Sequence, residues 1–223
     1  MKTIDTHFLA LACLLAKGHL LIEDVPGTGK TLLAKNLADK LNIKTTRLQC
    51  TNDLLPSDIL GYNFYDQAKK KMVFKKGPIF SQVLLADELN RAPSKTQSAL
   101  LEAMEESQVS IEGETYPLEK PFFVIATQNP REHVGVFDLP ESQIDRFYLS
   151  LKMNELSRKD YKTILTQQKN ISPLDTIKNI PKGSSNIIKI QSLIEKIHMH
   201  TDLREYLLTL VEKTEEALEV NLA

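Results

Sequence analysis

One short segment constrains this chain more than any other, the run PGTGKT at residues 26–31. The preceding residues, His19–Glu23, form a brief apolar stretch typical of a buried strand. The residues that follow, Thr31–Leu41, carry apolar side chains at helical spacing. A glycine-rich turn that leads from a strand into a helix can place backbone N–H groups against phosphate oxygens. The sequence therefore predicts a phosphate-binding loop.

The residue types in this run fit a nucleotide and its metal. Small side chains let the backbone approach phosphate oxygens, Lys30 can reach the β- and γ-phosphates, and the Thr31 hydroxyl can bind Mg²⁺. Asp24 stands where the pattern G-x-x-x-x-G-K-[ST] has its first glycine, the position least constrained by phosphate. The predicted nucleotide-binding residues are Pro26, Gly27, Thr28, Gly29, Lys30, Thr31 and Asp87.

Two carboxylates end a second apolar run, Val83–Ala86. At the end of a buried strand, Asp87 would lie beside the phosphates and hold Mg²⁺ through water. Glu88 can accept a proton from an attacking water as a general base. We therefore expect Thr31 and Asp87 to be the metal-binding residues and Glu88 to be catalytic.

A third apolar run, Phe122–Ala126, is followed by polar residues. A polar side chain at this strand end can lie near the γ-phosphate and orient the attacking water. Asn129 is the preferred candidate for this catalytic role and Thr127 the alternative.

The alternation of apolar strands with helices predicts an α/β fold whose parallel sheet is covered on both faces. Further helices are predicted over Phe8–Ala16, ending at a Gly18 cap, and over Lys95–Glu106, and a hairpin turns at Gly113. Strand candidates stop near residue 150, so we predict one domain over residues 1–150 and a helical one over residues 151–223. The helices predicted in the second domain are Leu156–Lys169, Ile187–His198 and Asp202–Leu218.

Composition excludes several classes of protein. The 28 basic and 29 acidic residues give a net charge of −1, which argues against a uniformly basic nucleic-acid binder. No apolar run approaches the ~20 residues of a membrane span, and the N-terminus lacks a signal-peptide pattern. We therefore expect a cytoplasmic protein without membrane insertion. Cys13 and Cys50 have no metal-ligand spacing and are expected to be buried thiols. His198 and His200 are two residues apart, but no third ligand lies near them in the sequence, so we do not expect a metal site there.

Together these segments resemble the MoxR family of AAA+ ATPases. The resemblance is dense from residue 18 to about residue 150, and the block Leu85–Glu106 matches the family nearly residue for residue. The other similar blocks are Gly18–Thr31, Asp53–Gly61, Ile125–Pro130 and Leu139–Phe147. The resemblance implies a P-loop NTPase αβα sandwich followed by an all-helical lid. The family's lid supplies a second sensor arginine, for which we find no equivalent, so we expect the lid to be partial.

The resemblance also implies ATP and Mg²⁺ as cofactors and hydrolysis between the subunits of a ring, usually a hexamer. Lys30, Thr31, Asp87, Glu88 and Asn129 would act from one subunit. Arg146 would reach the neighbouring subunit's γ-phosphate as an arginine finger. An ion pair at a helix end is the alternative for Arg146, and Arg91 is the runner-up for the finger.

Two further segments correspond to insertions of the family, Gly61–Phe80 and Gln108–Pro121. The first interleaves aromatic residues with lysines and could line a pore, grip an acidic partner or be a solvated loop. These residues are Tyr62, Phe64, Tyr65, Phe74, Lys69, Lys70, Lys71, Lys75 and Lys76.

The family's role, as implied here, is chaperone-like remodelling of a protein client or cofactor insertion, with a von Willebrand factor A domain protein as partner. Two alternatives remain open: a nucleotide-gated binding module with little hydrolysis, and a DNA-associated motor suggested by the lysines. The sequence has no Asn-Lys-x-Asp motif of the kind that reads guanine, so we expect ATP rather than GTP.

Overall fold

The computed structural model describes residues 6–23, 30–129, 135–152 and 182–222. The helices are α1 Thr6–Leu15, α2 Lys30–Leu41, α3 Pro56–Leu60, α4 Ser94–Glu106, α5 Glu141–Ile144, α6 Ser184–Ile194 and α7 Thr201–Leu222. The strands are β1 Leu20–Glu23, β2 Thr45–Gln49, β3 Gly61–Asp66, β4 Lys71–Lys76, β5 Val83–Asp87, β6 Gln108–Ile111, β7 Glu114–Pro117, β8 Phe123–Gln128 and β9 Leu149–Lys152.

The main sheet has five parallel strands in the order β2-β5-β8-β1-β9. The three central strands are the apolar runs that the sequence analysis selected, and almost all their residues are buried. Continuous burial of this kind requires cover on both faces, since successive side chains of a strand point to opposite sides. The predicted parallel sheet is confirmed.

Two apolar layers provide that cover. On one face of the sheet Leu21 belongs to a cluster that includes Leu100 of α4. On the other face its neighbours Leu20 and Ile22 belong to a cluster with Leu37 of α2. Each fully buried leucine contributes about 2 kcal/mol through the hydrophobic effect. The two apolar layers thus stabilise the αβα sandwich, with the sheet between them.

The edge strands β2 and β9 were not predicted. In β2 only Leu48 is buried, and its remaining residues are exposed or half-buried. In β9 the side chains of Leu149 and Leu151 are half-buried. An edge strand has a neighbour on one side only, so it can fold without the continuous apolar run by which the central strands are identified.

The end of α1 corrects one prediction. Lys17, rather than Gly18, adopts the left-handed conformation, with φ of 61°. The N–H of Lys17 donates to the Leu14 carbonyl at 3.1 Å and that of Gly18 to the Cys13 carbonyl at 3.0 Å, which is a Schellman ending. Gly18 is needed for close approach instead, because a Cβ there would lie 2.2 Å from Cγ of Tyr148.

The predicted hairpin at Gly113 is present, and the segment that begins at Gly61 forms another hairpin. β3 pairs with β4 and β6 with β7, each pair antiparallel, and Glu112 and Gly113 form the second turn. The hairpins pack on each other: the rings of Phe74 and Tyr116 stack with centroids 4.2 Å apart, and Asn63 Nδ2 donates to Glu112 Oε2 at 2.9 Å.

The chain divides into two compact units, which comprise residues 1–191 and residues 192–223. The predicted helices over 187–198 and 202–218 are present as α6 and α7 with shifted bounds. The predicted helix Leu156–Lys169 lies outside the described residues, so the domain boundary near residue 150 stays a prediction. Cys13 and Cys50 are buried free thiols, as expected. Within the described ranges, no helix combines the length and the apolar character needed to span a bilayer.

Candidate active site

The candidate site lies at the carboxyl edge of the main sheet, where the parallel strands β1, β5 and β8 end side by side. In the register of these strands Ala86 is level with Ala126, and Glu23 is level with Gln128. Gln128 Nε2 donates to Glu23 Oε1 at 2.8 Å. In open α/β sheets, ligands bind at this edge.

Thr127 connects the two predicted carboxylate residues. Its hydroxyl donates to Asp87 Oδ1 at 2.7 Å, and its oxygen accepts the backbone N–H of Glu88 at 2.9 Å. The Thr127 side chain is fully buried, so loss of the hydroxyl would leave both partners poorly satisfied. One residue of β8 therefore fixes the orientation of Asp87 and the backbone position of Glu88.

Glu88 adopts a left-handed backbone conformation, with φ of 58° and ψ of 51°. For a residue with a Cβ this conformation costs about 1–2 kcal/mol. The carboxylate is held as well, because Oε2 accepts a hydrogen bond from Gln49 Nε2 at 2.9 Å and one from Arg91 Nη1 at 3.1 Å. Backbone outliers that are stabilised from several sides in this way are common at functional sites.

The edge strand β2 adds two side chains that the sequence analysis missed. Arg47 Nη2 lies 2.7 Å from Asp87 Oδ2, and Arg47 Nε lies 3.3 Å from the same oxygen. The same Nη2 donates to Gln49 Oε1 at 2.7 Å. The available signal was the period-2 spacing of two polar residues around the buried Leu48, which is weak without a neighbouring apolar run.

The phosphate-loop candidates fall into two groups. Lys30 is the first residue of α2 and is buried, while Thr31 follows it with an exposed side chain. The other predicted loop residues, Pro26, Gly27, Thr28 and Gly29, lie outside the described residues. The described part fits Mg²⁺ and a phosphate chain: a cation and a hydroxyl stand at a helix N-terminus, and the Asp87 carboxylate at the strand edge supplies oxygen.

Asn129 follows directly after β8 and is buried. The backbone carbonyl oxygen of Asn129 accepts a hydrogen bond from Asn90 Nδ2 at 3.3 Å, and this bond connects the end of β8 to the turn Leu89–Arg91. The structure thus places Asn129 beyond the strand end and the alternative, Thr127, in direct contact with Asp87.

Arg146 is paired with a different element. Its Nη1 lies 2.8 Å from Oε2 of Glu105, near the end of α4, and about a third of the arginine side chain is exposed. Within the described part of the chain, Arg146 thus contacts a helix-end glutamate, whereas Asp87 and Glu88 contact Arg47 and Arg91.

Two buried groups have shifted pKa values. Burial, with the nearby charges of Asp87 and Glu88, raises the pKa of the Cys50 thiol to about 12. Burial lowers the pKa of His19 to about 4. The neutral imidazole accepts the Val124 N–H at its Nδ1 over 3.0 Å, and its Nε2 lies 3.3 Å from the Met104 carbonyl. His19 therefore joins the start of β8 to α4, at the end of the sheet opposite the site.

Comparison with known proteins agrees with this geometry. Residues 19–149 match the model of a family described as the ATPase family associated with various cellular activities (AAA). The chaperone MoxR1 of Mycobacterium tuberculosis is 40% identical over 92% of this chain and 53% of its own length. The chain belongs to the MoxR family of AAA+ ATPases.

Two other similar proteins cover more of the chain. The uncharacterized Bacillus subtilis protein YeaC is 42% identical over 98% of this chain and 68% of its own length. The crystal structure of a candidate ATPase from Cytophaga hutchinsonii superimposes with a TM-score of 0.80 at 39% identity, covering 96% of this chain and 66% of that one. The chain thus spans between about half and two thirds of the length of these three relatives, and the P-loop αβα core predicted for it is confirmed.

Proposed function

We propose that this MoxR protein binds ATP with Mg²⁺ and hydrolyses it. The observation that carries the proposal is the Thr127 hydroxyl, which binds Asp87 Oδ1 and the Glu88 N–H at the edge where β1 leads toward α2. A metal-binding carboxylate and a general base are thereby held next to each other at the strand ends. This is the arrangement that phosphoryl transfer to water requires, since the reaction depends on positioning and charge neutralisation.

The proposed roles follow from chemistry and position. The backbone of Pro26–Gly29 and the Lys30 ammonium would bind the phosphates, and Thr31 and Asp87 would hold the metal. Mg²⁺, when bound, supplies neutralisation of the charge on the phosphate oxygens. Glu88 would take a proton from the attacking water, and Asn129, or Thr127 in its place, would orient that water.

Arg146 is proposed to act on a neighbouring subunit as an arginine finger. Its partial exposure supports action outside its own subunit, and the ion pair with Glu105, which is the alternative arrangement, would have to open for that role. Arginine fingers contribute about 10³–10⁵-fold to the rate of related reactions. This role implies that the protein works as a ring, for which we propose a hexamer.

Hydrolysis in such a ring would drive chaperone-like remodelling of a protein client or insertion of a cofactor. The relative named Chaperone MoxR1 supports the first of these. The hairpin β3–β4, with its exposed aromatic and lysine side chains, is a surface for the client, and a von Willebrand factor A domain protein is the partner we propose.

A substitution at Glu88 tests the proposal. We expect Glu88→Gln to bind ATP as the parent does while steady-state phosphate release falls at least about 10²-fold, since general-base catalysis contributes about 10²–10⁴-fold. Glu119→Gln, which changes an exposed carboxylate away from the site, should leave both properties unchanged. Phosphate release by Glu88→Gln at the parental rate would refute the assigned base.

A mixing experiment tests action between subunits. Arg146→Ala alone should lose hydrolysis, and mixing it with Lys30→Ala subunits, which keep Arg146, should restore part of the activity. If the mixture stays as inactive as its components, Arg146 does not act on a neighbour.

A further inference from the structure

We infer that Arg47 is a positioning residue for ATP hydrolysis, holding Asp87 directly and orienting Gln49 toward Glu88. The inference rests on the proposed function, because it concerns how the two carboxylates are kept in place. It assigns a role to an edge strand, β2, that supplies neither the phosphate loop nor either carboxylate.

The register of the sheet explains why these side chains meet. β2 runs parallel to β5, with Gln49 level with Asp87. Arg47 and Gln49 are two residues apart and therefore point to the same side of the strand, while Leu48 between them is buried in the core. Arg47 is long enough to reach forward along the strand to the carboxylate at the end of β5.

The guanidinium of Arg47 is shared between two acceptors. Nη2 donates to Asp87 Oδ2 and to Gln49 Oε1, each at 2.7 Å, while Nε lies 3.3 Å from the same Asp87 oxygen. Because Thr127 binds Oδ1 of Asp87, the carboxylate is fixed from both neighbouring strands. Removing Arg47 would leave it fixed from one side only.

The second effect of Arg47 concerns the side-chain amide of Gln49. With Oε1 bound to Arg47, Nε2 faces Oε2 of Glu88 at 2.9 Å. An amide presents a donor and an acceptor at almost the same position, so its orientation depends on its partners. Without Arg47 the Gln49 oxygen loses its donor, and the amide is held at one end only, by the Glu88 carboxylate.

The solvent exposure of Arg47 indicates that its role is in positioning Asp87 and not in stabilising the fold. Half of the Arg47 side chain is open to solvent (52%), whereas the Asp87 side chain is largely covered (15%). A single exposed ion pair of this kind contributes little to stability. The loss of Arg47 should therefore affect turnover much more than folding.

The test compares Arg47→Met, which keeps the aliphatic stem, with Arg47→Lys and with Lys44→Met as a matched control just before β2. We expect kcat for ATP to fall about 10- to 100-fold in Arg47→Met, as small displacements of catalytic groups do, with KM changed less than about 3-fold. The melting temperature should stay within about 3 °C of the parent. Arg47→Lys should recover only part of kcat, since one ammonium cannot reproduce the fork of donors.

A second readout does not depend on hydrolysis. The side-chain ¹H–¹⁵N resonances of Gln49 in the ligand-free protein, assigned through Gln49→Glu, should shift in Arg47→Met and stay in place in Lys44→Met. Unchanged Gln49 resonances, or a parental kcat in Arg47→Met, would overturn the inference. So would a fall in kcat that accompanies a large fall in melting temperature in both Arg47 variants.

The inference and the proposed function fail in different ways. If Glu88→Gln hydrolyses ATP normally, the assigned base is wrong, yet the Gln49 resonances still report whether Arg47 orients the amide. If Glu88→Gln is inactive and Arg47→Met is fully active, only the role of Arg47 is wrong.

Discussion

The strand-end site and the β3–β4 hairpin both carry many charged side chains, but they hold them differently. At the strand ends Asp87 is bound by Thr127 from one strand and by Arg47 from another. On the hairpin, the contacts of the lysines are local: Lys75 Nζ lies 3.3 Å from the Tyr62 hydroxyl, and Lys69 pairs with Asp66 in the adjoining turn at 3.6 Å.

The two regions therefore suit different functions, one that needs a fixed geometry and one that needs side chains free to adapt to a partner. Groups that are fixed from several elements keep one geometry, which is what the proposed phosphoryl transfer requires. Loss of a buried partner such as the Thr127 hydroxyl leaves polar atoms unsatisfied at a cost of about 1–3 kcal/mol, whereas the exposed Arg47 contributes little to stability. Exposed lysines and aromatic rings keep their freedom until something binds them, and their local contacts contribute about 1 kcal/mol or less.

Thr127→Val would test the fixed site most severely. The valine keeps the shape but removes both hydrogen bonds, so we expect hydrolysis to fall about 100-fold through misplacement of Asp87 and Glu88. The free energy of unfolding should fall by about 2–3 kcal/mol. Phosphate release and urea unfolding measure the two effects. The control is Thr115→Val on the exposed face of β7, and equal effects of the two substitutions would break the comparison.

His19, just before β1, is a second buried polar side chain that is held from two elements, and its contribution to stability can be tested through pH. Its folded pKa of about 4 lies below the ordinary value of 6.5, so the unfolded chain binds the proton more readily. Stability from this group is present above pH 6.5 and is lost as the pH falls toward 4. The loss between pH 7 and pH 4.5 is about 2 kcal/mol.

The measurement is urea unfolding of the protein and of His19→Gln at both pH values, because the difference between them isolates the imidazole from the titrating carboxylates. For the control His198→Gln, which removes an exposed imidazole and keeps His19, the difference in unfolding free energy from the parent should be the same at both pH values. A parallel fall in both His19→Gln and the parent would show that the imidazole does not carry the effect.

Phe74 differs from the exposed side chains of the β3–β4 hairpin, because its ring stacks on Tyr116 of the β6–β7 hairpin. We expect Phe74→Ala to cost about 2 kcal/mol of unfolding free energy, less than for a fully buried ring because Phe74 is half-buried. Phe64→Ala on the same hairpin should cost less than about 0.5 kcal/mol, as surface substitutions do. If the two substitutions cost the same, the hairpins are not joined by this stack.

The smallest effect is predicted for Lys75, whose ammonium lies 5.5 Å from the centroid of the Tyr62 ring. Lys75→Ala should change the unfolding free energy by less than about 1 kcal/mol, because exposed cation–π contacts are weak. Thermal unfolding of Lys75→Ala, Tyr62→Ala and the double variant gives the coupling between them. A coupling above about 2 kcal/mol would mean that this face is as fixed as the strand ends.

The parts of the molecule that could be predicted from the sequence are those in which a local run of residues is compatible with one structure only. Continuous apolar runs identify β1, β5 and β8, because only central strands bury both faces. Asp87, Glu88 and Thr127 could be placed in advance because they follow these runs directly. The family-like blocks then indicated the AAA+ core, which the comparisons confirm.

The remainder depends on contacts between distant segments. β2 buries one leucine, so its pattern is not distinguishable from that of a loop, and the reach of Arg47 to Asp87 follows only once β2 pairs with β5. The left-handed conformation of Glu88 depends on the Thr127 hydroxyl, which lies on another strand. Lys17 takes the conformation expected of Gly18 because the glycine is needed where Tyr148 approaches.

The most direct test of ATP hydrolysis by this MoxR protein is a single-turnover experiment with protein in excess over radiolabelled ATP and with Mg²⁺ present. We predict that the parent converts all bound ATP to ADP and phosphate, while Glu88→Gln binds the same amount and releases it unchanged. Bound ATP that stays intact in the parent, or equal conversion by both proteins, would contradict the account.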